Sequence, residues 1–162
     1  MADRAPSRSR QTGAAVAFAL AVLATAAIGG AAASGSAEVY ARLTLPSWAP
    51  PQWLFGPAWT VLYVLMALAG WLVWRSAGLR GAPVAFALYA LQLLLNAAWT
   101  PLFFAAGRYG AALVDITVLG VALAVLIALF ARHSRVAAVA LVPYLVWVAY
   151  AGALNGAIVV LN

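Results

Sequence analysis

The chain has 162 residues, of which 67% are hydrophobic and 7% are charged. A soluble globular domain carries about 25% charged and roughly 45–50% apolar residues, so this chain has too few polar groups to cover a water-exposed surface. Intrinsic disorder is excluded as well, because a chain this apolar would collapse. The composition therefore predicts an integral membrane protein. At roughly 20 residues for each spanning helix, the length allows about five spans.

The charged and sulfur-containing residues exclude several kinds of site. All nine basic residues are arginine, and they stand between apolar runs, so membrane topology explains them better than nucleic-acid binding does. The chain has no cysteine and one histidine, His133. Disulfides, iron–sulfur clusters, cysteine-ligated zinc and multi-histidine metal sites are therefore excluded. We expect no cofactor, no bound metal and no nucleic-acid partner.

Five uncharged or nearly uncharged apolar runs follow one another along the chain. Each run is longer than a membrane-spanning β-strand and lacks the alternating polarity of one, so we expect an all-α bundle. The sequence predicts a basic tail over residues 1–12 and a membrane domain over residues 13–162. The five predicted transmembrane helices cover residues 13–33, 53–74, 82–106, 109–131 and 136–161, with a long loop at 34–52.

The arginines are distributed unevenly between the two ends of these predicted helices. One end holds Arg4, Arg8, Arg10, Arg75, Arg80, Arg132 and Arg135. The other end holds only Arg42 and Arg108. By the positive-inside rule, this distribution predicts a cytoplasmic N-terminus and an exported C-terminus. A cleavable signal peptide is the alternative for the first apolar run, because small residues follow it at 33–37.

Polar and aromatic side chains inside the predicted spans mark a candidate site, because bilayer hydrocarbon penalises polar groups. Two sets share a helix face by their spacing: Gln92, Asn96, Trp99 and Phe103 on the third predicted helix, and Pro143, Trp147, Ala151 and Asn155 on the fifth. At a rise of about 1.5 Å per residue, most of them lie with Trp59 in the membrane half that holds the 34–52 loop. This convergence predicts a ligand pocket. Polar contacts that hold the helices together are the alternative.

Two further features belong to the same half of the membrane. Asp115 is the only acid inside a predicted span, and we favour a structural bond to a neighbouring helix or to Arg108 over a role as proton carrier. The 34–52 loop contains three prolines and two tryptophans if its border at Trp53 is included. A long, proline-restricted loop of this kind predicts a lid over the pocket. A loop that lies on the lipid headgroups is the alternative.

Several ordered sequence blocks resemble the translocator protein family, also called tryptophan-rich sensory proteins (TspO/MBR). The blocks are PSWAPPQW at 46–53, GPAWTVLY at 56–63, QLLLNAAWTPLFF at 92–104, ALVD at 112–115, PYLVW at 143–147 and LN at 154–155. Together they extend over about residues 40–156. The resemblance implies a five-helix membrane bundle, usually a homodimer, which binds porphyrins in a pocket between the helices and under the first long loop.

The resemblance also implies which residues contact the ligand. With Gln92 added from its helix face, the predicted ligand-binding residues are Tyr40, Trp59, Tyr63, Gln92, Asn96, Trp99, Trp147 and Ala151. Animal members continue after the Leu-Asn pair of the last helix with Tyr and Arg, a proposed sterol-recognition segment. Here Gly156 follows that pair, so we do not expect specific sterol recognition.

The resemblance therefore implies a receptor or sensor of the bacterial cell membrane that binds protoporphyrin-like tetrapyrroles and takes part in tetrapyrrole or stress regulation. The ligand's carboxylates are expected to reach toward the loop and the headgroup region, where Arg42 and Arg108 lie. One alternative is a light-dependent porphyrin oxidase in which Trp59 and Trp147 are catalytic, without a conventional catalytic constellation. Another is a transporter of tetrapyrroles or other small molecules. The expected partners are a planar hydrophobic ligand, membrane lipid and a second copy of the chain, which would pack through Ala17, Ala21, Ala85 and Ala90.

Overall fold

The computed structural model describes residues 7–162, and five of its helices are long and apolar enough to cross a membrane. The α-helices in this range are α1 (Arg8–Ala32), α2 (Ser36–Arg42), α3 (Phe55–Gly81), α4 (Pro83–Thr100), α5 (Tyr109–Ala131) and α6 (Arg135–Leu161). A 3₁₀ turn, Gln52–Leu54, leads into α3, and a π-helical turn, Pro101–Ala105, extends α4. The predicted all-α fold with five spanning helices is confirmed. The orientation of the termini stays a prediction.

The helices differ from the predicted ones in three places: the start of α1, the additional helix α2 and the end of α3. Helix α1 begins at Arg8, inside the predicted basic tail, because arginine is a good helix former and its long side chain reaches water from a helix end. Residues 1–6 of that tail lie outside the described residues. The short helix α2 lies within the predicted 34–52 loop. Helix α3 continues through the turn predicted at 75–81, and its geometry breaks only at Gly78, which has φ 65° and ψ 172°. Glycine adopts this left-handed φ without steric cost.

The spanning helices pack as a bundle in which α6 contacts α5 and α3, α4 contacts α5, and α1 contacts α3 and α4. The contact between α1 and α3 depends on Gly70. A Cβ atom added there would lie 2.7 Å from Cδ1 of Phe18, and small residues of this kind let membrane helices approach closely. The opposite face of α1 is exposed, with Val16, Leu20 and Leu23 directed outward, so this face is open to lipid or to another protein chain.

The connections that follow α3, α4 and α5 are short, the longer 34–52 loop joins α1 to α3, and successive spanning helices run in opposite directions. The end of α1, the start of α3, the end of α4 and the C-terminal half of α6 therefore meet beside the 34–52 loop. Hydrogen bonds hold this end of α6 to the loop, because Tyr150 of α6 and Asn162, which directly follows α6, bond to the backbone of Trp48 and Thr44. The described arginines of the predicted cytoplasmic side lie in or beside the opposite ends of α1, α3, α5 and α6.

Candidate functional site

A cavity of about 320 Å³ lies between α1, the 34–52 loop, α3 and the end of α4. This volume falls at the lower end of the range for ligand pockets, which is about 300–1,000 Å³. Four predicted site residues line the cavity: Tyr40, Trp59, Tyr63 and Trp99. Another part of its wall comes from small residues of α1 and its C-cap, namely Ala26, Gly29, Gly30 and Ala33. The small side chains of α1 thus leave the space that the aromatic side chains of α3 and α4 border.

Three other predicted residues, Asn96, Trp147 and Ala151, lie deeper in the bundle. They line a separate cavity of about 10 Å³ between α3, α4, α5 and α6. A cavity of that size holds about one water molecule. Phe55, Trp59 and Trp99, called the aromatic partition below, border both this cavity and the larger one. A large ligand therefore reaches Trp147 only when side chains of the aromatic partition move.

The aromatic partition takes part in two groups of ring contacts, one that includes Phe55 and Trp59 and a separate one that includes Trp99. The ring centroids of Trp59 and Tyr63 are 5.4 Å apart and stacked, and those of Trp59 and Trp147 are 6.4 Å apart at 80°. Phe55 meets Trp147 edge-on at 5.8 Å. Trp99 stacks on Phe103 at 5.0 Å. Such pairs contribute about 0.5–1.5 kcal/mol beyond the burial of their area, so the rings hold one another in defined positions around both cavities.

Two hydrogen-bonded groups tie the helices together at the site. Asn96 of α4 accepts a hydrogen bond at Oδ1 from the Tyr63 hydroxyl at 3.2 Å and donates from Nδ2 to the Tyr144 hydroxyl at 2.8 Å. Trp99 donates from Nε1 to Oδ1 of Asn155 at 3.2 Å, and Asn155 donates to the backbone carbonyl that begins α5 at 2.9 Å. These bonds connect α3, α4, α5 and α6 through groups that have no competing water in a bilayer.

Gln92 and Asp115 are placed differently from the rest of the site. Gln92 is fully buried, lines none of the cavities under the 34–52 loop, and has no hydrogen-bond partner for either amide atom among the described residues. One carboxylate oxygen of Asp115 is likewise buried without a partner. The expected contact between Asp115 and Arg108 is wrong: the only ion pair within residues 7–162 joins Glu38 and Arg42. A buried polar group without a partner costs stability, so we expect a bound water at Gln92 and either a water or a proton at Asp115.

The 34–52 loop is fastened to α6 by side-chain hydrogen bonds. Asn162 accepts from the Thr44 backbone N–H at 2.9 Å and donates to the Thr44 carbonyl at 3.2 Å. The Tyr150 hydroxyl donates to the Trp48 carbonyl at 3.0 Å, and the two rings meet at 5.8 Å. These four residues join the loop to the helix that carries Trp147, which lines the deeper cavity. A movement of the loop is therefore expected to shift this end of α6 as well.

Tyr40 connects the two halves of the 34–52 loop. Its hydroxyl donates to the Pro50 carbonyl at 2.9 Å, and its ring meets Phe55 edge-on at 5.8 Å. Burial, with a smaller contribution from the nearby Tyr150, raises the pKa of Tyr40 above its usual range. The phenol therefore keeps its proton at neutral pH and remains a donor.

The structure adds residues that the sequence reasoning missed. Tyr144 is fully buried and bonded to Asn96, although the predicted face of the last helix ran through Pro143 and Trp147 instead. Thr100 and Gln52 line the larger cavity. The position of Tyr144 three residues before Trp147 was a usable signal, because residues at this spacing lie on neighbouring parts of one helix face.

The comparisons with known proteins agree with this architecture. The TspO/MBR family matches residues 15–161. The chain is 43% identical over 118 residues to the translocator protein of Homo sapiens, with 72% of this chain and 70% of the relative covered. It is 40% identical over 148 residues to the tryptophan-rich protein TspO of Archaeoglobus fulgidus, with 91% and 95% covered. It is 42% identical over 118 residues to the tryptophan-rich sensory protein of Cereibacter sphaeroides, with 73% of each covered.

Two conclusions follow from these matches. They extend over most of this chain and most of each relative, and they include the spanning helices and the cavities described above. Membership in this family supports a role as a membrane sensor or receptor. The chain is thus a multi-pass integral membrane protein that belongs to the TspO/MBR family.

Proposed function

We propose that this chain is a receptor that binds a porphyrin in the cavities under the 34–52 loop and takes part in sensing tetrapyrrole levels. The observation that carries the proposal is the aromatic partition of Phe55, Trp59 and Trp99, which borders both the larger and the deeper cavity. A flat macrocycle gains most from contact with flat aromatic side chains. The tryptophan faces supply that contact over a wide area.

The cavity dimensions define what binding requires. The larger cavity, at about 320 Å³, is small for a tetrapyrrole. Two further cavities of about 10 Å³ adjoin it, and all three share Phe55 and Trp99. Rotation of these two side chains would connect the three cavities with one another. Binding is therefore expected to rearrange the side chains of the aromatic partition. The hydrogen bonds between the 34–52 loop and α6 should hold the loop over the ligand meanwhile.

A second candidate function is light-dependent oxidation of the bound porphyrin. The contact between the indole rings of Trp59 and Trp147, with centroids 6.4 Å apart, favours it. Indole is readily oxidised, so two adjacent tryptophans beside an excited pigment are placed for electron transfer. In this reaction Trp59 and Trp147 would take part directly, and replacement by phenylalanine would remove the chemistry while retaining an aromatic ring.

One experiment tests both candidates. Purified protein in lipid nanodiscs is titrated with protoporphyrin IX in the dark, and the pigment is then analysed by chromatography with and without illumination. The receptor proposal predicts saturable binding with unchanged pigment. The oxidase predicts loss of pigment that requires light, oxygen and Trp147, and the variant Trp147→Phe should retain binding. Absence of saturable binding would reject both.

The remaining proposals concern the membrane and the oligomer. We propose a bacterial cell membrane, a cytoplasmic N-terminus and a homodimer that packs through α1 and α4. Of the alanines predicted for the dimer contact, Ala17, Ala21 and Ala90 are exposed. Ala85 is 3% exposed within a single chain, because its side chain packs inside the bundle, so we leave it out of the proposed dimer contact. Light scattering in mild detergent should show a dimer, which the variant Ala21→Trp weakens.

A further inference from the structure

We propose that this site recognises its ligand without using the ligand's carboxylate charge, through aromatic contacts and neutral hydrogen-bonding groups alone. The inference rests on the proposed function for the identity of the macrocycle, and it adds the chemical class that the site selects. It implies that Arg42 and Arg108, which lie at this end of the bundle, form no ion pair with the ligand's carboxylates that contributes to affinity.

Neutral polar groups are available on the walls of the cavities. Ser36, Gln52 and Thr100 line the larger cavity, and their side chains make no hydrogen bond within the described part of the chain. The Thr100 hydroxyl faces α1, since a Cβ atom built on Gly29 would lie 3.5 Å from it. In the deeper cavity, the buried Nε1 of Trp147 has no partner. These groups can bond to carbonyl, hydroxyl or pyrrole groups of a ligand.

The arginines of this end of the bundle are directed elsewhere. In α2, Ser36 and Tyr40 face the larger cavity. Two residues along a helix turn the side chain by about 200°, so Glu38 and Arg42 lie on the outer face. They pair with each other at 3.8 Å, and their side chains are 79% and 81% exposed.

Arg108 stands in the connection between α4 and α5, where it is exposed. Every residue that lines the larger cavity and the two small cavities beside it is uncharged. A carboxylate moved from water into such surroundings loses its hydration and gains no ion pair, which makes the charged group unfavourable inside. An exposed arginine at the membrane surface adds little to affinity.

The porphyrin's acid groups are therefore expected to stay in the headgroup layer. Their solvation by water and lipid headgroups is then the same in the bound and the free ligand. Esterification of the acids should leave the affinity of the site nearly unchanged. The hydroxyl of Thr100, by contrast, should contribute to the binding of either form, because the pyrrole nitrogens of the ring are present in both.

The test compares protoporphyrin IX with its dimethyl ester. Each is titrated into protein in nanodiscs, with tryptophan quenching as the signal and empty nanodiscs used to correct for partition into lipid. We expect dissociation constants within about threefold of each other, unchanged by Arg42→Ala and by raising salt from about 50 to 500 mM. Thr100→Val should weaken both ligands by about two- to tenfold. Thr60→Val is the matched control, because the Thr60 hydroxyl is exposed and bonds to its own helix.

A tenfold or greater loss of affinity on esterification, or a loss with Arg42→Ala confined to the free acid, would overturn the inference. If neither porphyrin binds, the proposed function fails. The inference is then tested by measuring the affinities of the protein for 1-pyrenebutyric acid and for its methyl ester. Equal or tighter binding of the methyl ester would support uncharged recognition without porphyrin specificity. Preference for the acid, or no binding of either pyrene, would overturn the inference too.

Discussion

Asn96 is the residue whose replacement should reveal most about how the site is held together. It accepts from Tyr63 on α3 and donates to Tyr144 on α6, so a single side chain on α4 joins three spanning helices. The variant Asn96→Leu keeps a similar volume and removes both bonds. The Tyr144 hydroxyl, which is fully buried, then has no partner at that position.

The magnitude follows from the two bonds and the group left behind. Hydrogen bonds between membrane helices contribute on average about 0.6 kcal/mol each, so the two together contribute about 1.2 kcal/mol. An orphaned buried hydroxyl costs about 1–3 kcal/mol more. We therefore expect the free energy of unfolding to fall by about 2–4 kcal/mol. For a chain of this size each kcal/mol corresponds to about 2–4 °C in Tm.

The assay is thermal unfolding in one fixed detergent, followed by the near-ultraviolet signal of the tryptophans. Thr117→Val is the matched control, because the Thr117 hydroxyl is exposed and bonds to the Leu113 carbonyl of its own helix at 2.7 Å; its Tm should change by about 1 °C or less. In a double-mutant cycle, Asn96→Leu and Tyr144→Phe should be less than additive. An unchanged Tm for Asn96→Leu, or strict additivity, would refute the coupling described here.

Three further predictions concern packing, the loop and topology. Gly70→Ala should lower Tm by several degrees, because its Cβ would lie 2.7 Å from Phe18 and overpacking costs about 1–3 kcal/mol; an unchanged Tm would contradict the close contact of α1 with α3. Asn162→Ala should speed proteolysis within the 34–52 loop several-fold by removing both bonds to its backbone; equal cleavage rates would mean that this fastening contributes nothing. Reporter fusions should read cytoplasmic at Ser134 and exported at Gly107; the reverse pattern would contradict the predicted orientation.

Matched control variants for Gly70→Ala and Asn162→Ala distinguish the specific effects from a nonspecific loss of stability. Gly13→Ala adds the same methyl group on α1 where nothing lies within 4 Å, so Tm should not fall. Thr12→Val removes an exposed hydroxyl that bonds only to the Arg8 carbonyl of its own helix, so proteolysis of the loop should stay at the parent rate.

The fold could be predicted from the sequence because five long apolar runs are separated by charges and breakers, and a bilayer admits few other arrangements. The helix ends could not. Helix α1 begins at Arg8 although this residue is charged. Helix α3 continues beyond Arg75 and keeps regular helical geometry as far as Gly78. Helix ends depend on local hydrogen bonding and on the headgroup layer, neither of which hydropathy records.

The sequence predicted most residues of the candidate site, but it did not predict how the cavities are arranged between the helices. Seven of the eight predicted ligand-binding residues border the cavities under the 34–52 loop, and Gln92 does not. Helical spacing places Asn96 and Trp99 on one face, but it cannot say which helix lies opposite. The small residues of α1 indicated close packing, whereas Gly29 and Gly30 instead leave space beside the aromatic partition. Which neighbour fills such a space depends on the tertiary arrangement.

The central claim is that a porphyrin binds against the aromatic partition, and one measurement tests it most directly. Protoporphyrin IX is titrated into the parent protein, Trp59→Ala and Trp71→Ala, with folding checked by circular dichroism. Trp59 lines both cavities, whereas Trp71 lies near the opposite end of the bundle, where it bonds to Gln11 and contacts Arg75. Loss of an aromatic contact of about 0.5–1.5 kcal/mol should raise the dissociation constant of Trp59→Ala about threefold to tenfold, with Trp71→Ala unchanged. Equal affinity in all three folded proteins would contradict the account.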